Sequence, residues 1–374
     1  MKEKFSLKDE LFNPAKVQKI ASEIQAVYAD FKQEKFKAEV ASLFPQLKLK
    51  ERINHIRDML AKYLPDDYRE ATDILLNALP EELDTNKYDN DFGDFIYAPY
   101  SQYVAAFGCN REDLSFSLQA LREMTKRFSV EYAIRDFINN YPEETLSVLE
   151  ECSLSSNYHE RRLSSEGLRP KLPWAKKIKT AHNKALLILD NIFYDKTRYV
   201  TRSVANHLND ISKIDPLLVI ATLKRWKASE KQESKEMDYI ISHALRTLVK
   251  EGNKDALELL GYLQDPAIDI NDFELKNINV HIGETLHFHF DLKANEACKL
   301  LIDYIIYFQT KNARPSSKIY KIKKLSLKKD QILKIEKRHF FKANMSTKKL
   351  YKGEHKVELQ INGKLYASEV FHLI

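Results

Sequence analysis

Tyr199-Val-Thr-Arg-Ser-Val-Ala-Asn-His-Leu-Asn-Asp210 decides the fold, because the chain writes it three times. Tyr158-His-Glu-Arg-Arg-Leu-Ser-Ser-Glu-Gly-Leu-Arg169 begins 41 residues earlier, and Tyr239-Ile-Ile-Ser-His-Ala-Leu-Arg-Thr-Leu-Val-Lys250 begins 40 residues later. Each has helical apolar spacing, follows another such stretch and ends in a polar turn. A period of roughly 40–47 residues built from two helices is that of HEAT or armadillo arrays. One helix pair cannot bury its apolar face alone, so pairs stack into a solenoid. The alignment puts Glu166, His207 and Thr247 in register, and Arg169, Asp210 and Lys250 likewise. A weaker earlier copy includes Val130-Glu-Tyr-Ala-Ile-Arg-Asp-Phe-Ile138.

Helical spacing runs outward from these copies, from residue 6 to about 264, as in Ile20, Ile24, Val27 and Phe31 or Ile53, Ile56, Leu60 and Leu64. Asp84–Pro99, rich in Asp, Asn and Tyr, reads as a surface loop. After Pro266 the period becomes two, in Glu284–Leu292, Ser317–Leu325 and Lys356–Ile361, and Asn362-Gly363 marks a tight hairpin. Six or seven strands in an antiparallel Ig-like sandwich are expected there, without the paired cysteines of an antibody domain. The predicted architecture is therefore α+β and multidomain: an α-solenoid of HEAT-like repeats over 1–265, then an Ig-like β-sandwich over 266–374.

Composition excludes several functions. Eight glycines in 374 residues are few and unclustered, against a usual 7% or so. No GxGxxG, GxxxxGK[ST] or GxSxG occurs, which argues against nucleotide-binding folds and the hydrolase elbow. Three scattered cysteines support neither a disulfide framework nor a thiolate metal site, and suit a cytoplasmic protein. No apolar run approaches the 18 or so residues of a membrane span. The net charge of +6 is unevenly placed. It is −9 over residues 1–160, +10 over 161–227, −3 over 228–266 and +8 over 267–374. Two basic blocks suit a polyanionic partner, most simply nucleic acid.

Arg162, Glu166 and Arg169 share one helix face, and Pro173 stiffens the approach to Trp174. The same spacing also suits a surface Arg–Glu pair with a Trp packed on the core. Arg202, Asn206 and Asp210 share a second face, which stacking would set beside Glu166. Two carboxylates in a basic setting can stabilise a cationic intermediate, although a buried Asn–Asp network is equally compatible. Glu131 and Arg135, four apart, read as an ion pair. His207 and His243 read as core histidines, and His287 and His289 lack the further ligands of a metal site.

The stretches Arg162–Ala175, Tyr199–Lys213 and His243–Gly252 resemble the AlkC family of bacterial DNA glycosylases, a member of the AlkC/AlkD HEAT-like superfamily that is distinguished from AlkD by a C-terminal Ig-like domain. That resemblance implies a monofunctional glycosylase that removes cationic N3-methylated bases, chiefly 3-methyladenine, from double-stranded DNA without full extrusion of the base. It implies catalytic roles for Glu166 and Asp210, an accessory carboxylate at Glu131 and an aromatic wall at Trp174, with no metal and no cofactor. Arg162, Arg169, Lys171, Arg202 and Arg246 are expected at phosphates, together with Lys321 and Lys323 of the β domain, in a monomer. A HEAT module that binds damaged or structured DNA without cleaving it, and a protein-interaction scaffold, stay open as alternatives.

Overall fold

The computed structural model describes residues 6–89, 92–179, 182–310, 316–343 and 349–374. It divides into two compact units, Met1–Ile214 with Trp226–Ala244, and Asp215–Arg225 with Leu245–Ile374. The change from helices to strands falls between Leu259 and Ile268. No helix among the described residues is long and apolar enough to cross a membrane, and all three cysteines are free thiols.

The first unit is helical. Its helices start where the sequence offers a start: Pro14 and Pro142 each open one, and Asn157 caps Tyr158–Glu166 by accepting from the His159 amide. The repeated segments become the helices Tyr158–Glu166, Arg198–Ile211 and Ser234–Ala244, and the middle one packs against both others. His182–Ile192 precedes the middle one as its partner. Trp226, with almost no exposed surface, stacks on Phe193 at 4.5 Å and donates its indole N–H to Asp190 at 2.6 Å. Side chains spread from Phe12 to Ile188 share one core.

Two expectations need correction. The third copy is not one helix: it breaks at Leu245 and restarts as Arg246–Lys250, so Thr247 does not share a continuous helix face with its aligned partners. The break coincides with the division between the two units. The loop predicted over Asp84–Pro99 is also shorter, because Asp94 caps a helical turn Phe95–Tyr97 that leads into Ala98–Phe107.

Among its described residues the second unit holds eight strands, more than the six or seven expected: β1 Ile268–Leu275, β2 Asn279–Val280, β3 Thr285–Ala294, β4 Cys298–Phe308, β5 Ser316–Leu327, β6 Ile332–Phe340, β7 Gly353–Ile361 and β8 Lys364–Leu373. They form sheets of order β1-β3-β6 and β2-β8-β7-β4-β5. Alternate residues of β3 (Leu286, Phe288, Phe290, Leu292) bury against β4, β7 and β8 side chains such as Ile306, Leu359 and Phe371. The Asn362-Gly363 turn has φ of 47° and 82°, the pair of positive values that a type I′ hairpin needs. The Asn362 side chain is wholly buried, accepting from the Leu301 amide and donating to the Leu263 and Lys299 carbonyls.

Candidate active site

The helix Tyr158–Glu166 ends at Glu166, four residues before Pro170, which has no N–H for the Glu166 carbonyl and whose ring would meet it. Gly167 packs closely there: a Cβ on it would lie 2.9 Å from Ile134 Cγ2. Arg135 seals that end, donating to the carbonyls of Gly167 and Arg169 at 2.9 Å and of Lys176 at 2.5 Å. Burial, with Arg169 nearby, pushes its guanidinium down to about 10. The Glu131–Arg135 ion pair therefore does not form. Glu131 lies in the turn before the helix Ile134–Asn140, where four-residue spacing does not place two side chains together.

Glu166 is 5% exposed and Asp210 3%, and one guanidinium joins them. Arg169 reaches Glu166 Oε1 at 2.5 Å and Asp210 Oδ2 at 3.0 Å. Glu166 Oε2 accepts from Ser203 Oγ at 2.6 Å and lies 3.8 Å from Arg162. Arg162 also reaches Glu131 at 3.3 Å, and Ser129 donates to the same carboxylate. Lys213 approaches Asp210 at 3.4 Å. Three acids drawn from three helical pairs thus surround two buried guanidiniums, with a lysine at the edge.

The acids differ in proton affinity. Burial works against a charged Glu166, but Arg162, Arg169 and the Ser203 hydroxyl outweigh it and hold the carboxyl below its ordinary value. At Glu131 burial wins over Arg162, the Glu166 charge adds to it, and the carboxyl is raised. One acid is kept ionised and its neighbour is poised to take a proton. His207 is fully buried and pushed down to about 3 by burial and Arg169, so it is neutral.

Trp174 does not pack on the core. Its side chain is 69% exposed and its φ is +63°, a backbone conformation that bulky residues rarely adopt. Lys50 donates to its carbonyl. Strain held at an exposed aromatic that lines a cavity together with Ser129, whose hydroxyl binds Glu131, is the pattern of a functional position.

The predicted basic residues separate into three groups. Arg162 and Arg169, expected at phosphates, are buried and hold the carboxylates. Arg202 pairs with Asp89. Lys171 is exposed beside the Trp174 loop, Arg246 opens its short helix in the second unit, and Lys321 and Lys323 are exposed on the edge strand β5. Sequence reasoning missed Ser129, Ser203 and the ring of Tyr199, over which Arg162 lies at 4.4 Å. Ser203 and Tyr199 were inside the quoted repeat and carried a signal; Ser129 carried none. His287 and His289 lie on the outer face of β3, and no cluster of three or more acids, histidines or cysteines able to hold a metal occurs among the described residues.

Residues 269–374 match the family described as the C-terminal Ig-like domain of uncharacterised protein YhaZ. Over 369 residues the chain is 32% identical to uncharacterized protein YhaZ of Bacillus subtilis (strain 168), covering 97% of this chain and 98% of that one. The structure of Pseudomonas fluorescens alkylpurine DNA glycosylase AlkC, bound to DNA containing an abasic site analog, matches with a TM-score of 0.88. That match has 30% identity and covers 99% of this chain and 100% of the other. The class is thus a helical-repeat protein carrying an Ig-like domain, with buried acids gathered from successive repeats. The chain belongs to the AlkC family.

Proposed function

We propose that the protein is a DNA glycosylase of alkylation repair that hydrolyses the N-glycosidic bond of cationic N3-methylated bases, 3-methyladenine first among them, in duplex DNA. The observation that carries this is the joining of Glu166 and Asp210, from neighbouring repeats, by Arg169 in a nearly water-free setting. The AlkC relative, whose structure contains an abasic site analog, supports it.

An N3-methylated purine already carries positive charge and leaves without a general acid. Breaking its bond builds positive charge on the deoxyribose, which fixed carboxylates stabilise more in the transition state than in the ground state. A carboxylate here can also orient the attacking water. Trp174, exposed and linked to the acid cluster through the cavity it shares with Ser129, offers its face to a cationic base, an interaction worth from ~0.5–1 to about 2 kcal/mol. Lys171, Arg246, Lys321 and Lys323 hold phosphates, which position a duplex without reading its sequence, while Arg202 is engaged by Asp89. Arg162 and Arg169 act instead by fixing the acids.

The test is release of bases from methylated duplex DNA, resolved by chromatography. Free 3-methyladenine is the expected product. Binding of the DNA with no base released would leave only a DNA-binding module.

A further inference from the structure

A cavity of about 120 Å³ lies in the helical unit between Ile53, Phe95, Phe128, Tyr132 and Trp174. It touches the acid cluster through one residue. Ser129 lines it and also accepts from Arg162 Nη1 at 2.7 Å while donating to Glu131. Its walls are flat and fixed: Phe95 and Phe128 meet edge to face at 5.1 Å, and the Tyr132 hydroxyl faces the Pro173 carbonyl at 3.4 Å. A slot walled by aromatic rings takes a planar ring system by stacking.

Gln102 supplies the polar element. It is half-buried on the cavity wall, and no other described residue hydrogen-bonds its amide. A carboxamide offers one donor and one acceptor side by side, the complement of the N6/N7 edge of adenine. Guanine presents two acceptors there, so the amide donor and acceptor cannot both be satisfied by it.

We propose that this cavity receives the released base, a neutral methylated adenine, once the bond has broken. The inference rests on the glycosylase reading above. In that reaction a water oxygen forms the new bond to C1′ and its proton passes to solvent. The electron pair of the C1′–N9 bond goes to the base, so the cationic base departs neutral, a planar molecule suited to an apolar slot. Holding it there makes the free base an inhibitor of the next turnover.

The chain has only two tryptophans. Trp226 is buried under Phe193 and gives a constant background, so fluorescence changes report on Trp174 at the mouth of the cavity. Titrating the whole protein with free 3-methyladenine should give saturable quenching that Trp174→Phe abolishes. The same base should slow excision from DNA. Gln102→Leu, on a half-buried surface and outside the acid cluster, should weaken quenching and inhibition about tenfold, the loss of one paired edge contact. Quenching that is unsaturable, or untouched by Gln102→Leu, in a preparation that excises base would overturn the proposal. Saturable, Gln102-dependent quenching in a protein that releases no base would keep the cavity and reject the glycosylase reading.

Discussion

Glu166→Gln is the sharpest perturbation of the acid cluster. Arg169 binds Oε1 and Ser203 binds Oε2, so the two carboxylate oxygens have different partners. Glutamine keeps one oxygen. Turned toward Arg169, it preserves that bond and offers its NH2 to the Ser203 hydroxyl, which can accept. The shape and the local bonds survive, and the fold loses the charged character of two hydrogen bonds, about 1–3 kcal/mol. Catalysis loses more. A unit charge about 4 Å from the developing cation is worth about 4 kcal/mol at an effective dielectric of 20, which is close to a thousandfold in rate. The assay is single-turnover release of 3-methyladenine from methylated duplex, alongside fluorescence anisotropy for DNA binding and a thermal melt. The expected variant melts slightly lower, binds DNA normally and cleaves about a thousandfold more slowly. A folded variant that keeps its rate to within tenfold would refute the electrostatic argument.

Three further outcomes are expected. Folded Glu131 holds its proton to a higher pH than the unfolded chain does, so acidification from neutrality through that raised value adds stability, whereas the stability from Glu166 is present above its ordinary 4.5 and lost only as pH falls through its depressed folded value; the melting temperature of the parent minus that of Glu131→Gln should therefore shift in the parent's favour between neutral and mildly acidic pH, the buried histidines and Asp303 contributing equally to both. Gly363→Ala places a Cβ 2.4 Å from the Gly252 Cα at a φ of +82°, so chemical denaturation should show the β-sandwich weakened by more than the ~1–2 kcal/mol of the left-handed conformation alone. DNA affinity should fall linearly on a log–log plot against salt, and Lys321→Ala or Lys323→Ala should each reduce the slope by about one; slopes equal to the parent's would remove β5 from the DNA-binding surface.

The residues that folding reads locally were legible. The spacing in Tyr158–Glu166 and Arg198–Ile211, the alternation in β3 and the Asn362-Gly363 turn each depend on the backbone within a few residues, and each appears where the sequence puts it. The acids were legible too, because the repeat placed Glu166 and Asp210 on stacking faces. The partners were not. Glu131 sits four residues before Arg135 yet pairs with Arg162, 31 residues away, and Arg169 turns from a presumed phosphate contact into the link between Glu166 and Asp210.

By itself, then, the sequence determined the repeat, the change to strands and which acids exist in a basic neighbourhood, since those follow from periods of 3.6 and two and from composition. Only the tertiary structure decided which cation meets which acid, that Glu131 is raised while Glu166 is lowered, and that Trp174 stands in the open above an aromatic slot. Those are matters of a few ångströms between elements 30–40 residues apart and of how much water packing leaves around a charge, and nothing local in the chain encodes either.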